Sequence, residues 1–262
     1  MNIGFDIILR YIEIFLLVMV RVTSLFIISP IFGRKNMPNL MKIGFGLMIA
    51  LIITPTLDLT VTSENKHILQ YLLLVFNEFI VGLILGFISY MAFSALYIAG
   101  QIIDMQIGFG MVNVFDPQSN IQIPVIANFY FIIAMLMFLS IDGHHMIISS
   151  IFYSYKVLPI GTAAISSILV SDVVRIFGDM FIIGFKIAGP VIAAIFITDV
   201  ALGILARTVP QMNVFIVGMP LKIVIGMVTL ALVIAVFPII MDAMVNGIYR
   251  DLETVLKDMV IK

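Results

Sequence analysis

The sequence contains no cysteine and few charged residues. The absence of cysteine excludes disulfide bonds, thiolate metal sites and cysteine nucleophiles. Lysine, arginine, aspartate and glutamate together fill 11% of the 262 positions, whereas a soluble domain carries about 25%. Because so few charges cannot cover a chain of this length with a hydrated surface, the composition predicts a protein of a membrane or of a membrane-like assembly.

Basic clusters are also missing from the sequence. The formal net charge is −1, and no group of four or more lysines and arginines offers a surface for phosphates, so we expect no nucleic-acid partner. The N-terminal segment does not resemble a cleavable signal peptide, because Asp6, Arg10 and Glu13 interrupt its apolar run and no A-x-A site follows. We therefore expect one membrane domain that begins with this segment.

Apolar residues fill 62% of the positions, and the mean hydropathy is +1.21. Apolar runs longer than about 18 residues are typical of transmembrane helices, so we predict an all-α integral membrane protein. The third run is unusually long, since one helix over its length would span about 54 Å against a bilayer core of about 30 Å. We expect it to be bent and tilted or to project beyond the bilayer. The predicted segments are 7–32, 43–54, 68–103, 125–141, 146–155, 173–206 and 214–247.

Charged residues inside these segments are predicted to be buried, because a charge that faces lipid costs several kcal/mol. We expect Arg21 and Glu78 to pair with each other or with neighbouring chains. Gly82 and Gly86 share a helix face with Glu78, and such small residues allow helices to approach closely. The charges predicted to be buried are Arg21, Glu78, Lys186, Asp199 and Lys222.

The last two segments are predicted to form a helical hairpin, with kinks at Gly189-Pro190 and at Pro238. Asp199 and Lys222 lie at similar distances from the turn. Antiparallel arms would therefore bring them to the same depth, where we expect a buried ion pair. The residues predicted to form the turn are Arg207, Pro210, Gln211 and Asn213.

A more polar stretch, residues 100–124, separates the third and fourth segments. Gly108 and Gly110 flank Phe109, so the backbone there can take positive φ and turn sharply. Asp116-Pro117 is typical of a turn or of a helix start. Composition alone favours a re-entrant or interfacial loop that packs on its own helices.

Two adjacent histidines, His144 and His145, follow Asp142 and Gly143 between the next two segments. They suggest a metal site, but neighbouring residues on a helix point in different directions. We therefore predict no metal here and a helix break that is capped by Asp142-Gly143. No catalytic residue and no cofactor are predicted for the chain.

Several motifs resemble the FliR family of flagellar export-gate proteins, and the similarity extends along essentially the full length. The block within Ala206-Arg-x-x-Pro210-Gln-Met-Asn-Val-Phe215-x-x-Gly218-x-Pro220-x-Lys222 is highly specific. The SctT family of injectisomes shares much of the pattern, but Gly218-Met-Pro-Leu-Lys222 and Gly108-Phe-Gly110 favour the flagellar family. The other motifs are Gly100-x-x-x-Asp104-x-Gln106-x-Gly108-Phe-Gly with Asp116-Pro117, Phe138-Leu-x-x-Asp-Gly-His-His145, and Arg21 followed by Pro30 and Phe32-Gly33.

The resemblance implies a single-copy, non-enzymatic subunit of the type III export gate in the bacterial cytoplasmic membrane, within the flagellar basal body. It implies long, kinked helices that wind with other subunits into a closed cone. Residues 1–172 would form a FliP-like part and residues 173–250 a FliQ-like hairpin. The implied partners are FliP-like and FliQ-like membrane subunits, FlhB-like and FlhA-like export components, the lipid bilayer, and unfolded protein substrates in transit.

The resemblance further implies a pore plug in the loop 104–122, carried here onto Met105–Ile121. Apolar side chains would obstruct the pore, and polar side chains at the two edges would hold the loop in place. The implied plug residues are Met105, Ile107, Gly108, Phe109, Gly110, Met111, Val112, Val114 and Phe115. The implied anchors are Asp104, Gln106, Asp116 and Pro117.

Two alternatives come from other functional classes. A secondary transporter would place intramembrane charges and broken helices around a midplane site, although the sequence shows no repeat of halves. An intramembrane protease would need paired aspartates, a zinc site or a serine–histidine pair, and neither Gly-x-Gly-Asp nor His-Glu-x-x-His occurs in the sequence. A third alternative is an export-gate subunit of an injectisome, which is closely related to the flagellar export-gate subunit that the resemblance implies.

Overall fold

The computed structural model describes residues 3–34, 37–57, 68–111 and 124–260. These residues form seven α-helices, with short 3₁₀ turns at Thr54–Thr56 and Phe109–Met111. Strand-like pairing in this part of the chain is limited to an isolated antiparallel bridge between Ala163 and Val260. The helices are α1 (Ile3–Ile28), α2 (Asn39–Ile53), α3 (Ile68–Ile107), α4 (Val125–Ser140), α5 (Gly143–Val157), α6 (Ser167–Thr208) and α7 (Val214–Asp258).

Five of these helices are long and apolar enough to cross a membrane, namely α1, α2 with its 3₁₀ extension, α3, α6 and α7. The pair α4 and α5 gives a sixth candidate if it is counted as one broken span. The prediction of an all-α integral membrane protein is therefore confirmed. The winding of these helices with other subunits into a cone stays a prediction.

Several helix ends differ from their predicted positions for local reasons. α1 ends at Ile28 rather than at Phe32, because Pro30 disfavours helical backbone at Ser29. α6 begins earlier than predicted, at Ser167. The hydroxyl of Ser166 accepts a hydrogen bond from the Leu169 amide at 3.1 Å and so caps the first turn of this helix.

The third and last helices are longer than predicted. α3 continues to Ile107 instead of 103, so Asp104 and the three residues after it are helical and not part of a loop. α7 continues to Asp258 instead of 247, beyond the end of its apolar run. An ion pair at 2.6 Å between Lys257 and Glu253, one turn apart, supports these polar last turns. α6 continues through Pro190, and α7 through Pro220 and Pro238, where helix bending is expected.

The chain divides into two compact units, each assembled from separate segments. Unit 1 comprises residues 1–91, 142–176 and 246–262, and unit 2 comprises residues 92–141 and 177–245. These units describe which residues pack together. The division into a FliP-like part and a FliQ-like hairpin is a different statement, about resemblance, and it stays a prediction.

Within unit 1, α3 packs directly on α1 at two glycines. A Cβ atom on Gly82 would overlap the hydroxyl of Ser24 and the backbone oxygen of Arg21. A Cβ atom on Gly86 would come within 2.7 Å of the Leu25 backbone oxygen. The close helix approach expected from the small residues is therefore present, and it turns Glu78 toward α1.

Candidate functional site

The most deeply buried polar cluster of unit 1 is centred on Arg21, which has no exposed surface in the chain. Its Nε atom lies 2.6 Å from Oε2 of Glu78, which is equally buried. Its Nη1 atom donates to the Ser154 hydroxyl at 3.0 Å and to the Leu158 backbone oxygen at 3.2 Å. The guanidinium thus joins α1 to α3 and to the C-terminal end of α5.

The same cluster satisfies further groups around the ion pair. The Glu78 Oε1 atom accepts a hydrogen bond from the Gly161 amide at 3.0 Å, so the connector after α5 is bound as well. The Arg21 Cζ atom lies 3.9 Å from the centroid of the Tyr155 ring, in cation–π geometry. Because both charges are compensated inside the chain, this cluster has a structural role and offers no free charge for transport.

The best-defined polar contact of unit 2 is made by Asp104, which lies one turn before the end of α3 and is 5% exposed. Its carboxylate accepts hydrogen bonds from the Ile126 amide at 3.0 Å and from the Ala127 amide at 3.2 Å. Both amides belong to the first turn of α4, where helix amides have no partner within the helix. The residue before α4 is Pro124, whose side chain cannot cap, so Asp104 caps this helix from outside.

Packing next to this contact is tight. A Cβ atom on Gly100 would overlap the backbone of Ala127, so α3 and α4 touch one turn before Asp104. Ile107 is fully buried, and a Cβ atom on Gly226 of α7 would come within 2.6 Å of its Cγ1 atom. The last turns of α3 are therefore held by α4 on one side and by α7 on another.

α3 ends at Ile107, and the next residue, Gly108, has a φ angle of 104°, in a region that residues with a Cβ atom rarely adopt. The Gly108 amide donates to the Asp104 backbone oxygen at 3.2 Å, which closes the last turn. A 3₁₀ turn, Phe109–Met111, follows directly. Phe109 is half-buried there, and Gly110 is exposed.

A cavity of about 450 Å³ lies in unit 2 beside the end of α3. Its walls come from α3 and from the two arms of the hairpin, and they combine apolar side chains with one ion pair. The lining residues are Met105, Gln106, Ile107, Gly108, Asp199, Leu202, Gly203, Val214, Phe215, Gly218, Met219 and Lys222. The end of α3, the start of the loop and the hairpin therefore share one space.

The ion pair in the cavity wall joins Lys222 of α7 to Asp199 of α6. The two residues meet as the antiparallel arms require, but the pair is not buried within this chain. The side chain of Lys222 is 28% exposed and that of Asp199 is 43% exposed. Lys186 is exposed as well, so these three charges are not buried among the described residues, and their burial in a larger assembly stays a prediction.

Lys222→Met is expected to lower the amount of intact protein in the membrane several-fold, because Asp199 would remain as an uncompensated carboxylate on a membrane helix. The double variant Asp199→Asn/Lys222→Met should recover most of this loss. The yield of intact protein in detergent extracts measures both effects. Losses that simply add in the double variant would contradict a direct coupling between these two charges.

The hairpin turn is organised by Asn213. Its side-chain oxygen accepts hydrogen bonds from the Phe215 amide at 3.1 Å and from the Ile216 amide at 3.3 Å, so it caps α7. Arg207, Pro210 and Gln211 are exposed at the turn. On α6, Arg175 lies 3.2 Å from Asp172 and 3.6 Å from Asp251.

At the start of α5, two expectations about the histidine motif are wrong. The rings of His144 and His145 do not point apart, since their centroids are 4.2 Å from each other. The side chain of Asp142 makes no capping hydrogen bond to α5. The break itself is present, because Asp142 has a φ angle of 58° between α4 and α5. Asp142, His144 and His145 instead form one compact group.

Comparison with known proteins identifies the family. The family described as bacterial export proteins, family 1, matches residues 12–248. The flagellar biosynthetic protein FliR of Bacillus subtilis (strain 168) is 41% identical over 226 residues, covering 85% of this chain and 86% of that protein. The chain belongs to the FliR family. FliR of Pectobacterium carotovorum subsp. carotovorum is 32% identical over 90% of each chain, and FliR of Escherichia coli (strain K12) is 30% identical over 88% of this chain and 87% of its own.

Membership of the FliR family makes this protein a component of the flagellar export apparatus. Together with the five candidate membrane helices, it makes the protein a multi-pass protein of the bacterial inner membrane. It favours an export component over the secondary transporter and the protease. The resemblance stated from the sequence motifs is confirmed.

The plug segment expected in a FliR protein is described only in part. Met105, Gln106 and Ile107 are helical, and Met105 is 77% exposed. Gly108, Phe109 and Gly110 follow as the turn given above, and of Met111 only the backbone is described. The remaining expected plug and anchor residues lie outside the described residues, and they are Val112, Val114, Phe115, Asp116 and Pro117.

For several of these polar contacts, the partner residues could not be predicted from the sequence. Ser154, Tyr155 and Leu158 complete the Arg21 cluster, but they are more than a hundred positions away from it and carry no spacing signal. The partners of Asp104 were equally hidden, because they are backbone amides. Proline at 124, directly before an apolar helix, was the one available hint that α4 takes its cap from elsewhere.

Proposed function

We propose that this chain helps to form the export pore for unfolded flagellar proteins and closes it with the loop that follows α3. In this proposal the chain assembles with FliP-like and FliQ-like membrane subunits and works with FlhA-like and FlhB-like components. Long helices with many exposed apolar side chains support assembly with other membrane subunits. The plug residues are those of the segment after Asp104, with Asp104 as anchor.

One observation supports the plug most strongly: the two ends of the loop are joined to each other. Asp104 lies just before the loop, and Ile126 and Ala127, which donate to its carboxylate, lie just after it. A segment whose ends are fixed at one point can move without displacing α3 or α4. A gate needs this property, because opening must not dismantle the pore wall.

The composition of the loop fits an obstruction that yields to a polypeptide. Phe109, Met111, Val112, Val114 and Phe115 are apolar, and a constriction lined by such side chains excludes water and ions. Methionine adapts its shape to varied neighbours, so the same surface can contact substrates of different sequence. The polar residues at the edges would hold the loop, and the apolar ones would fill the pore.

The transition at Gly108 sets the direction in which the loop leaves α3. A residue with a Cβ atom in this conformation costs about 1–3 kcal/mol. Gly108→Ala is therefore expected to disfavour this backbone conformation, so that the loop leaves α3 in another direction. We expect flagellar protein export to slow several-fold. Ion permeability of the membrane should stay unchanged, because the apolar residues of the loop are retained.

Gly110→Ala is the matched control, because Gly110 lies in the same turn and has no positive φ, and a Cβ atom there would meet no atom of the described residues within 4 Å. Export is measured as the secreted amount of a flagellar hook or filament protein, with the yield of assembled gate as a check. Equal export by both variants would refute the role of the Gly108 turn. A strong reduction by Gly110→Ala alone would refute it as well.

A further inference from the structure

The group at the start of α5 combines three side chains that commonly bind transition metals. Asp142, His144 and His145 each offer one ligand atom, and these atoms all lie within 4.8 Å of one another. All three residues belong to unit 1 and to four consecutive positions, so local backbone geometry alone brings them together. Neither the export function nor the Arg21 cluster uses them.

The carboxylate of Asp142 is available for a ligand. An aspartate before a helix normally accepts hydrogen bonds from amides of the first turn, but this side chain makes no such bond. Its Oδ1 atom instead lies 3.6 Å from Nδ1 of His145. Both side chains are accessible within this chain, with exposed fractions of 72% and 69% respectively.

His144 supplies an independent indication. Its Nδ1 atom is buried and has no hydrogen-bond partner in the part of the chain that the structure describes. A buried polar atom without a partner is costly, and such atoms in folded proteins call for an explanation. A metal ion bound to this nitrogen would compensate it.

The set of ligand atoms defines the class of ion. Two imidazoles with one carboxylate suit zinc and neighbouring first-row transition metals rather than calcium or magnesium, which prefer oxygen ligands alone. Zinc bonds of about 2.0–2.2 Å in tetrahedral geometry place ligand atoms about 3.4 Å apart. The 3.6 Å between Asp142 and His145 is close to that separation, and the ligand atom of His144 lies within 4.8 Å of both.

We propose that Asp142, His144 and His145 bind one divalent transition-metal ion, with Zn²⁺ as the ion to test. Three protein ligands leave at least one coordination position for water or for a group of another subunit. The ion would fix the first turn of α5 and hold the Asp142 side chain in place of the missing cap. This site is separate from the plug and from its proposed function.

The test measures zinc in the assembled gate, purified with an affinity tag that contains no histidine. After dialysis against a buffer of micromolar Zn²⁺, elemental analysis should give one equivalent more per chain in the wild type than in His144→Gln/His145→Gln. Asp142→Asn should weaken binding at least tenfold. His67→Gln removes the one other histidine of the chain and is the matched control, which should retain the full amount.

A second probe covers the case in which the double variant fails to assemble. His145→Gln alters one exposed side chain, and with Co²⁺ it should lose the absorption bands that a four-coordinate cobalt site gives in the wild type. Equal zinc content in the wild type and the double variant would overturn the proposal. So would zinc loss that is as large in His67→Gln as in the variants of the site.

Discussion

Arg21→Met is expected to shift the unfolding equilibrium of the assembled gate by more than a hundredfold. The substitution leaves Glu78 as a buried carboxylate without its ion-pair partner, and losing one member of such a pair costs about 3–5 kcal/mol. Each 1.4 kcal/mol corresponds to a factor of about ten. The Ser154 hydroxyl and the Leu158 oxygen would lose their donor at the same time.

The double variant Arg21→Met/Glu78→Gln separates the charge effect from packing. The glutamine is neutral and can still accept the hydrogen bond from the Gly161 amide, so we expect it to recover much of the loss. Lys257→Met is the control, because its partner Glu253 is also at the surface and its loss should change little. Thermal unfolding in detergent and the yield of intact gate measure the effect. A single variant as stable as the wild type would contradict the buried pair.

Under the proposed plug function, replacing the apolar residues of the loop after α3 with serine should make the pore leak ions. The variant carries serine at Phe109, Met111, Val112, Val114 and Phe115 and keeps the loop length, so Asp104 can still bind the first turn of α4. Without apolar side chains, a narrow lumen fills with water and conducts. We expect the conductance of gates in planar bilayers to rise at least tenfold, while export continues.

The control for this prediction changes polar residues of the same loop. Alanine at Gln118, Ser119 and Asn120 alters the loop chemistry without removing the apolar obstruction, so conductance should stay at the wild-type level. A serine variant that assembles normally and does not conduct would show that the loop is a connector. A leak of similar size in both variants would show that any change in the loop has the same effect.

The sequence was sufficient for contacts that follow from the two arms of one hairpin. Asp199 and Lys222 could be paired because both lie at similar distances from one turn. For Arg21 and Glu78, which lie on separate helices, the sequence predicted only that each needs a partner in this chain or in a neighbouring one. Their environment could not be predicted in the same way. Exposure depends on which helix faces the rest of the chain covers, and sequence periodicity is weak in helices that are apolar on all sides.

The helix ends show a second limit. α3 was expected to stop before Asp104, because polar side chains interrupt its apolar run there. It continues because the Asp104 carboxylate accepts hydrogen bonds from backbone amides of α4, and no local sequence pattern indicates this contact between segments. The Asp142 side chain was predicted to cap α5. It does not, because it lies toward His145 instead of toward the amides that follow it.

Cysteine cross-linking to a stalled substrate tests most directly whether the loop after α3 closes the export path. The chain has no cysteine, so Phe109→Cys introduces the one thiol of this subunit. An export substrate fused to a tightly folded domain should stall in the proposed pore, and a single cysteine in its unfolded part should then cross-link to position 109. Ile165→Cys, exposed on the connector before α6, should give no product. If the stalled substrate cross-links to neither position 109 nor a thiol placed at Val112, the loop does not lie in the export path.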